Sequence, residues 1–500
     1  MKTIPLSGSR LFLITCLLAF GVVMVLLPGP WQQPVHSRTD NLPVAQASPT
    51  PYPCQSVASC PNAPVTNITS PQVPCDVCIP SSFPSAANAI AFFDDYSWRS
   101  FIALVWPALQ NQRGVPDTNQ TVDGKGPRVF ETYKGLWELF HFDGSAPSGW
   151  NDYDPPTMNA CGATTAFGDL VLASFSKFSD LGQAGFGKLV GPLVAQNQTY
   201  VSYLTAYNQI EFDQITSNSW YLRAKLPSTI TFNPQSVDIK SAWMDMTNAK
   251  NPERYYTRMA AVMDPVSGKC SPKLMGLVGL HIVQKTPTRP QWIWSTFEQV
   301  DNVPPAQSGA PGTFAFNDGT STPMPPKNPY SVNPLPTPVP PPFNVTRTKP
   351  ISTLVVQGLP STVQTNANYQ QALKKAGSVW QYYQLVMTQW PVPGNSPANP
   401  GTPGFSFPGT GATTSFANTT METFDQSSIA TGGCMSCHTV TKTGTDFLWS
   451  LADHAFPPKI PSLLMQDPAF RELKTLIEKS QPMEKPSAKP VSKQRPGRRR

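Results

Sequence analysis

The sequence predicts an α+β fold, in which a large N-terminal domain with helices and an antiparallel sheet precedes a small, mainly α-helical segment near the C-terminus. Within residues 84–303, helical patterns come first and a series of short strand-like stretches separated by Gly and Pro follows them. Helices followed by neighbouring strands are typical of α+β proteins with an antiparallel sheet. Helical apolar spacing returns within residues 411–480, which predicts the small segment.

The helices of the large domain are predicted from apolar spacing. Residues 88–107 have a helical pattern that ends at Pro107, and its apolar stripe consists of Trp98, Phe101, Ile102 and Val105. The same spacing predicts helices at 129–140 and 200–215. A further helix, ended by Gly377, is predicted over 366–377.

The strands are predicted from alternation. Along 236–244 the residues of one face are Val237, Ile239, Ser241 and Trp243, a spacing of two that is typical of a strand. The stretches "RYYTRMAAVM", "LMGLVGLHIVQKT" and "QWIWSTFEQV" follow at short intervals. They extend the series that predicts a sheet.

Composition divides the rest of the chain. With 57 prolines and only 13% charged residues, long irregular connections are expected. The predicted segments are 1–47 (signal or signal anchor and linker), 48–83 (Cys- and Pro-rich), 84–303 (large domain), 304–350 (Pro-rich linker or loop), 351–392 (a helix and a strand returning to the large domain), 393–410 (Pro/Gly linker), 411–480 (small helical segment) and 481–500 (basic disordered tail).

The N-terminus predicts export. Lys2 and Arg10 precede an apolar run at 11–27, which is just long enough to span a bilayer. The small-residue sequence "AQA" at 45–47 is far from this run for a cleavage site, so an uncleaved signal anchor is preferred over a removed signal. We therefore expect the body in the periplasm or cell envelope, with 11–27 as a possible tether to the inner membrane.

The net charge of +7 is concentrated in the tail. Residues 481–500 contain seven Lys or Arg and one Glu, so +6 of the total is there and the remainder of the chain is near +1. A nearly neutral body argues against specific nucleic-acid binding. The tail itself could contact an acidic surface or acidic lipid.

Nine cysteines occur, at 16, 54, 60, 75, 78, 161, 270, 434 and 437. Without Cys16, which lies in the apolar run, and the pair at 434 and 437, six remain in a chain expected to be exported. Such a set predicts three disulfides. We expect local pairs among the four clustered between 54 and 78, and a Cys161–Cys270 bridge.

The sequence "CMSCH" at 434–438 has the spacing that attaches c-type haem. Cys434 and Cys437 lie within one helical turn and can form thioethers to the two haem vinyl groups, and His438 is then held at the iron as the proximal ligand. A thioredoxin-like disulfide would follow a strand, whereas "SSIATGG" before this motif is loop-like. A zinc site would need further ligands nearby. The motif therefore predicts one covalent haem c.

The sequence does not decide which residue is the sixth iron ligand. Met465 lies between the motif and the last predicted helix, His454 lies in the same interval, and Met421 lies upstream. Methionine raises the reduction potential relative to histidine, and an open position permits ligand chemistry.

Residues 411–480 resemble small cytochrome c domains. A helix is predicted over 418–428 with Asn418 or Thr419 as N-cap, the motif follows it, and a final helix is predicted over 467–480. The whole chain also resembles a family of exported bacterial monohaem c-type cytochromes with a large Trp-rich N-terminal domain. The stretches that carry this resemblance are "SWRSFIALVWP", "GLVGLHIVQKTP", "QWIWSTFEQVDN" and "NTTMETF…CMSCH". It implies haem binding and electron transfer.

Three functions are compatible with these patterns. The first is electron transfer to a redox partner protein in the cell envelope. The second is a haem-dependent oxidoreductase whose large domain binds a small substrate, and the third is a haem sensor or envelope binding module. In the large domain, His141, His281 and the pair Glu298 and Asp301 are predicted to have structural roles.

Overall fold

The structure is a computed structural model, and the chain is described over the greater part of its length. The described residues are 50–82, 86–158, 161–162, 165–172, 192–264, 269–305, 314–320, 329–330, 336–392, 404–406, 417–424, 426, 434, 438 and 442–457. The apolar run 11–27, Cys437, Met465, the helix predicted over 467–480 and the basic tail lie outside them. In the described part, no helix combines the length and the apolar character needed to cross a bilayer.

A nine-stranded sheet is the centre of the described fold. Its strands are β1 (Lys134–Gly135), β2 (Leu170–Leu172), β3 (Ser202–Tyr207), β4 (Val237–Asp245), β5 (Thr257–Met263), β6 (Cys270–Thr286), β7 (Arg289–Gln299), β8 (Tyr383–Val392) and β9 (Gly404–Ser406). Its main order is β1-β3-β4-β6-β7-β8-β9, while β5 pairs with β6 and β2 pairs with β5. The helices and this sheet together make the described chain α+β.

The sheet is mixed, so one pairing departs from the predicted antiparallel sheet. Every pairing is antiparallel except β2 with β5, where Leu170 pairs with Ala260 and Leu172 with Val262 in the same direction. A tight turn connects β6 (ending at Thr286) to β7 (beginning at Arg289), and such a turn can only join antiparallel neighbours, whereas longer segments join β3 to β4 and β7 to β8. A long segment separates β2 from β5, as parallel pairing requires.

Some helices have bounds close to the predicted ones, and other predicted helices are not found as such. They are α1 (Ala86–Leu104), α2 (Leu136–Leu139), α3 (Gln209–Ser217), α4 (Thr362–Lys375), α5 (Lys442–Thr445) and α6 (Trp449–His454), with single 3₁₀ turns at Val129–Thr132, Pro156–Met158, Arg223–Lys225, Pro252–Arg254 and Val379–Tyr382. Helices α1 and α4 confirm the predictions over 88–107 and 366–377. Gly377, with φ of +73°, follows the end of α4 as a left-handed residue.

The helix predicted over 200–215 is wrong in its first half. Tyr203 and Tyr207 alternate with Leu204 and Ala206 on the strand β3, which pairs with β1 and β4. Asn208 then caps α3 by accepting a hydrogen bond from the Glu211 N–H. A short apolar stretch fits the residue spacing of a helix as well as that of a strand. Here the pairing with β4 makes these residues a strand. The helix predicted over 129–140 likewise divides into a 3₁₀ turn, β1 and α2.

The main core lies between the sheet and helices α1 and α4. Trp98 of α1 is fully buried, stacks on Tyr369 of α4 and packs edge-on against Phe297 of β7. Its Nε1–H donates to Asn366 Oδ1 at 2.9 Å, which satisfies the only polar atom of the indole. Large apolar burial of this kind is the main source of folding free energy.

The described part of the chain contains three disulfides, which confirm the predicted local pairs and the predicted Cys161–Cys270 bridge. Cys54 bonds to Cys75, Cys60 to Cys78, and Cys161 to Cys270. The first two cross-link a Pro-rich segment with little regular structure, which could not bury enough apolar surface to stay ordered alone. Disulfides persist in oxidising compartments, in agreement with the expected export.

Candidate functional site

The candidate site lies on the sheet face opposite α1. Lys240 of β4 pairs with His281 of β6, and His281 pairs with Thr296 of β7, so the three residues form a row across the sheet. Trp294 of β7 lies two residues from Thr296 and therefore shares its face. Together with Trp294, the row places a cation, an imidazole, a hydroxyl and an indole on one face of the sheet.

Residues 417–424 cover part of this row. Instead of the predicted helix beginning at Asn418 or Thr419, turns are found here, with a single helical hydrogen bond from Glu422 N to Asn418 O. Asn418 donates from Nδ2 to Thr296 Oγ1 and to the Phe297 carbonyl. These side-chain hydrogen bonds to β7 compete with those of a helix, and they hold the segment in this shape.

Glu298 and Asp301 have separate structural partners. Glu298 is buried, accepts hydrogen bonds from the backbone N–H and hydroxyl of Thr419, and is ion-paired with Arg347. Asp301 forms a two-point contact with Arg254. The two carboxylates thus bind different partners, which does not favour a paired acid and base at this site.

His438 lies next to this row and is fixed by a backbone carbonyl. Its Nδ1 lies 2.7 Å from the Phe447 carbonyl oxygen, and its ring centroid lies 4.4 Å from that of Trp294. A carbonyl can only accept, so Nδ1 carries the proton and donates. Nε2 is then the nitrogen with the lone pair, which is the form in which histidine binds a metal.

The electrostatic environment keeps His438 neutral. Burial lowers the pKa of His438 to about 4, and the nearby positive charges of Lys240 and His281 act in the same direction. The Phe447 carbonyl and the Glu422 carboxylate oppose this shift without cancelling it. A neutral imidazole above pH 5 is ready to act as a ligand because no proton must leave first.

Cys434 is positioned one helical turn before His438. Both residues have helical backbone conformation, and residues four apart lie on the same face of a helix. Cys434 is half-buried and packs against the main core. Cys437, the second predicted anchor, lies outside the described residues.

No protein-family model, curated protein or solved structure matches this chain. Its function must therefore be argued from the site. In the described part of the chain, no group of three or more His, Cys, Asp or Glu could hold a metal ion.

The predicted sixth ligands lie in different places. Met421 is buried in a second apolar cluster beside Phe424, on the sheet side of its turn. His454, at the end of α6, packs against Phe140, and burial lowers its pKa to about 4. Met465 lies outside the described residues.

A group of buried carboxyls near the end of the row had no signal in the sequence. Glu211 is fully buried, and burial raises its pKa well above the usual range, with further increases from Asp238 and Asp446. Burial also raises the pKa of Asp238 to about 8. Lys285 is the cation that opposes these shifts at Glu211. Because the four residues come from α3, β4, β6 and the turn before α6, only the tertiary structure brings them together.

His141 is bound inside its own loop. Its Nδ1 lies 2.8 Å from Ser145 Oγ, and its Nε2 lies 3.2 Å from Asp154 Oδ2. Ser148 also donates to Asp154. These contacts are local along the chain, and they agree with the structural role predicted for this histidine.

Proposed function

We propose that this chain is an exported c-type cytochrome with one covalently bound haem, which transfers electrons in the periplasm or cell envelope. The single observation that supports this most is the hydrogen bond between His438 Nδ1 and the Phe447 carbonyl. Metal-bound histidines nearly always donate their second ring nitrogen in this way.

The residues of the motif fit a haem. Cys434 and Cys437 would be the thioether anchors and His438 the proximal ligand, and the helical backbone at 434 and 438 supports this arrangement. Four iron ligands come from the porphyrin, so one or two side chains are enough, and a cluster of three protein ligands is not required. When bound, the haem supplies a one-electron Fe(III)/Fe(II) couple.

The large domain would orient the redox site. Trp294 covers one side of His438, and the Phe447 carbonyl fixes the ring. The partner would be a redox protein of the envelope, and the basic tail at 481–500 would contact an acidic surface or lipid. Resemblance to exported monohaem c-type cytochromes supports the same proposal.

A second candidate is a haem-dependent oxidoreductase. It is favoured by the polar residues Lys240, His281 and Glu422 beside His438, since such groups can bind a small substrate and move protons. Carbon monoxide binding would separate the two. A protein that transfers electrons only would leave no free position on the iron and would not bind carbon monoxide.

The test is the mass and absorption spectrum of the protein expressed with a complete cytochrome c maturation system. We expect the mass of the polypeptide plus one haem, and a c-type spectrum. The variant Cys434→Ala/Cys437→Ala should lack the covalent haem, while the matched variant Cys54→Ala/Cys75→Ala, which removes a disulfide from another segment, should keep it. A colourless protein of polypeptide mass, in cells that mature a control cytochrome, would overturn the proposal.

A further inference from the structure

The turn that presents the Phe447 carbonyl has an unfavourable backbone. Asp446 and Phe447 have φ values of +52° and +72°, so two consecutive residues with side chains are in the left-handed region. Such conformations cost on the order of 1 kcal/mol or more each and persist only when the surroundings hold them. The Leu448 N–H closes the turn on the Thr445 carbonyl at 3.0 Å.

Three parts of the large domain hold this turn. The Asp446 carboxylate accepts hydrogen bonds from the Phe232 N–H, at 2.8 Å, and from Lys285 Nζ. The Asp446 carbonyl accepts one from Trp292 Nε1 at 3.0 Å. Lys285 Nζ also lies 5.4 Å from the centre of the Trp292 ring. We call Lys285, Trp292 and Asp446 the brace.

The side chains of the brace are buried although they carry polar and charged groups. Trp292, Lys285 and Asp446 are 0%, 3% and 6% exposed. A buried ion pair gives little net stability, because taking both charges out of water offsets their attraction, and apolar replacements are often neutral. Stability alone therefore does not explain a lysine at this position. A role in fixing the direction of the Phe447 carbonyl does explain the lysine.

We infer that the brace is a positioning device for the proximal histidine: Lys285 and Trp292 hold Asp446 so that the Phe447 carbonyl stays on His438 Nδ1, and this contact lowers the reduction potential of the site. The inference rests on the proposed function. Its physical basis is that a hydrogen bond from Nδ1 makes the imidazole a stronger donor. A stronger donor stabilises the ferric state relative to the ferrous state.

Three substitutions test the brace, and their charge changes differ. Trp292→Phe removes one hydrogen-bond donor without a charge change. Lys285→Met removes a positive charge, and Asp446→Asn removes a negative one. If the brace positions the carbonyl, all three variants should shift the reduction potential upward. Simple electrostatics predicts instead a downward shift for Lys285→Met, an upward shift for Asp446→Asn and none for Trp292→Phe.

The control is Glu138→Gln, which breaks a buried ion pair with Arg113 away from the brace. It should leave the potential unchanged even if it lowers stability. Should a single charge variant fail to accumulate, Lys285→Met/Asp446→Asn leaves no unpaired charge and should also raise the potential. Shifts of opposite sign for the two charge variants, or no shift in Trp292→Phe, would overturn the inference.

The mass of each preparation separates this inference from the proposed function. If the unchanged protein lacks haem, the proposed function fails, and the inference falls with it. If every variant carries one haem and the potentials do not follow the expected pattern, the brace alone is wrong. A Trp292→Phe protein that holds haem with an unchanged potential is the clearest negative result.

Discussion

His281 Nε2 lies 3.4 Å from Glu422 Oε1, so the centre of the sheet is joined to the turn segment 417–424 by an imidazole–carboxylate contact. Burial alone would raise the pKa of Glu422. The charge and hydrogen bond of His281, the charge of Lys240 and the Asn418 N–H together hold that pKa below its usual value. The ionised carboxylate thus stabilises the folded state.

We expect Glu422→Gln to lower the free energy of unfolding by about 1 kcal/mol at pH 7, the usual size for a partly buried hydrogen-bonded pair. A folded-state pKa below the unfolded one gives stability that is present above the unfolded pKa and is lost as pH falls through the folded pKa. Urea unfolding should therefore show a larger difference between the two proteins at pH 7 than at pH 3. Glu253→Gln, at an exposed position, is the control, and an equal loss at both pH values would contradict the argument.

Gly279 is in close contact with the turn segment. A Cβ at this position would lie 2.4 Å from Thr420 Oγ1 and 3.4 Å from Met421 Cε. Thr420 is buried and donates to Asn418 Oδ1, so it has no space to move. Gly279→Ala should lower the free energy of unfolding by about 1–3 kcal/mol. Gly444→Ala, where no atom lies within 4 Å, is the control in the same urea titration and should change little.

Asp94 should make stability depend on pH. Burial raises its pKa to about 7, and hydrogen bonds from Thr362 and Thr388 only partly oppose this. The folded protein keeps this proton up to about pH 7, while the unfolded chain releases it near the model-peptide value of about 4. The contribution of Asp94 to the free energy of unfolding is therefore fully present below about pH 4 and is lost as pH rises through about 7.

Asp94→Asn should remove this decline, because the amide resembles the protonated acid. Unfolding measured from pH 5 to pH 8 should show a flatter profile, with a gain at pH 8 on the order of 2–4 kcal/mol. Asp318→Asn is the control, since Asp318 is exposed and its pKa is lowered by the Thr320 N–H, outside this range. A decline that persists in Asp94→Asn would show that another group titrates.

The Cys161–Cys270 disulfide should be the most stabilising cross-link of the three. It joins residues 109 apart, whereas Cys54 and Cys75 are 21 apart. The entropy removed from the unfolded chain grows with loop length, to about 4–5 kcal/mol for the long loop against about 3 kcal/mol for the short one. Thermal and urea unfolding of the two double-alanine variants should show the larger loss for Cys161→Ala/Cys270→Ala. In excess reductant, which opens all the disulfides, the variants and the unchanged protein should have similar free energies of unfolding.

Several elements could be predicted because local signals agreed with the tertiary structure. Helix α1 has a complete apolar stripe and a proline after its end, and α4 has Ser361 as cap and Gly377 beyond its end. Strand β4 has unbroken alternation at its start. Strand β3 was missed because six residues are too few to distinguish helical from strand spacing. Its pairing with β1 and β4 determines that it is a strand.

The sequence by itself determined that six cysteines form three disulfides and where the main helices lie, because both depend on spacing along the chain. The tertiary structure decided how the four cysteines between 54 and 78 pair. The tertiary structure decided which groups surround His438: Trp294, the Phe447 carbonyl and the brace behind it come from β6, β7 and a turn before α6. Contacts between residues more than a hundred positions apart depend on strand register and packing. Those are properties of the whole fold, and no local pattern encodes them.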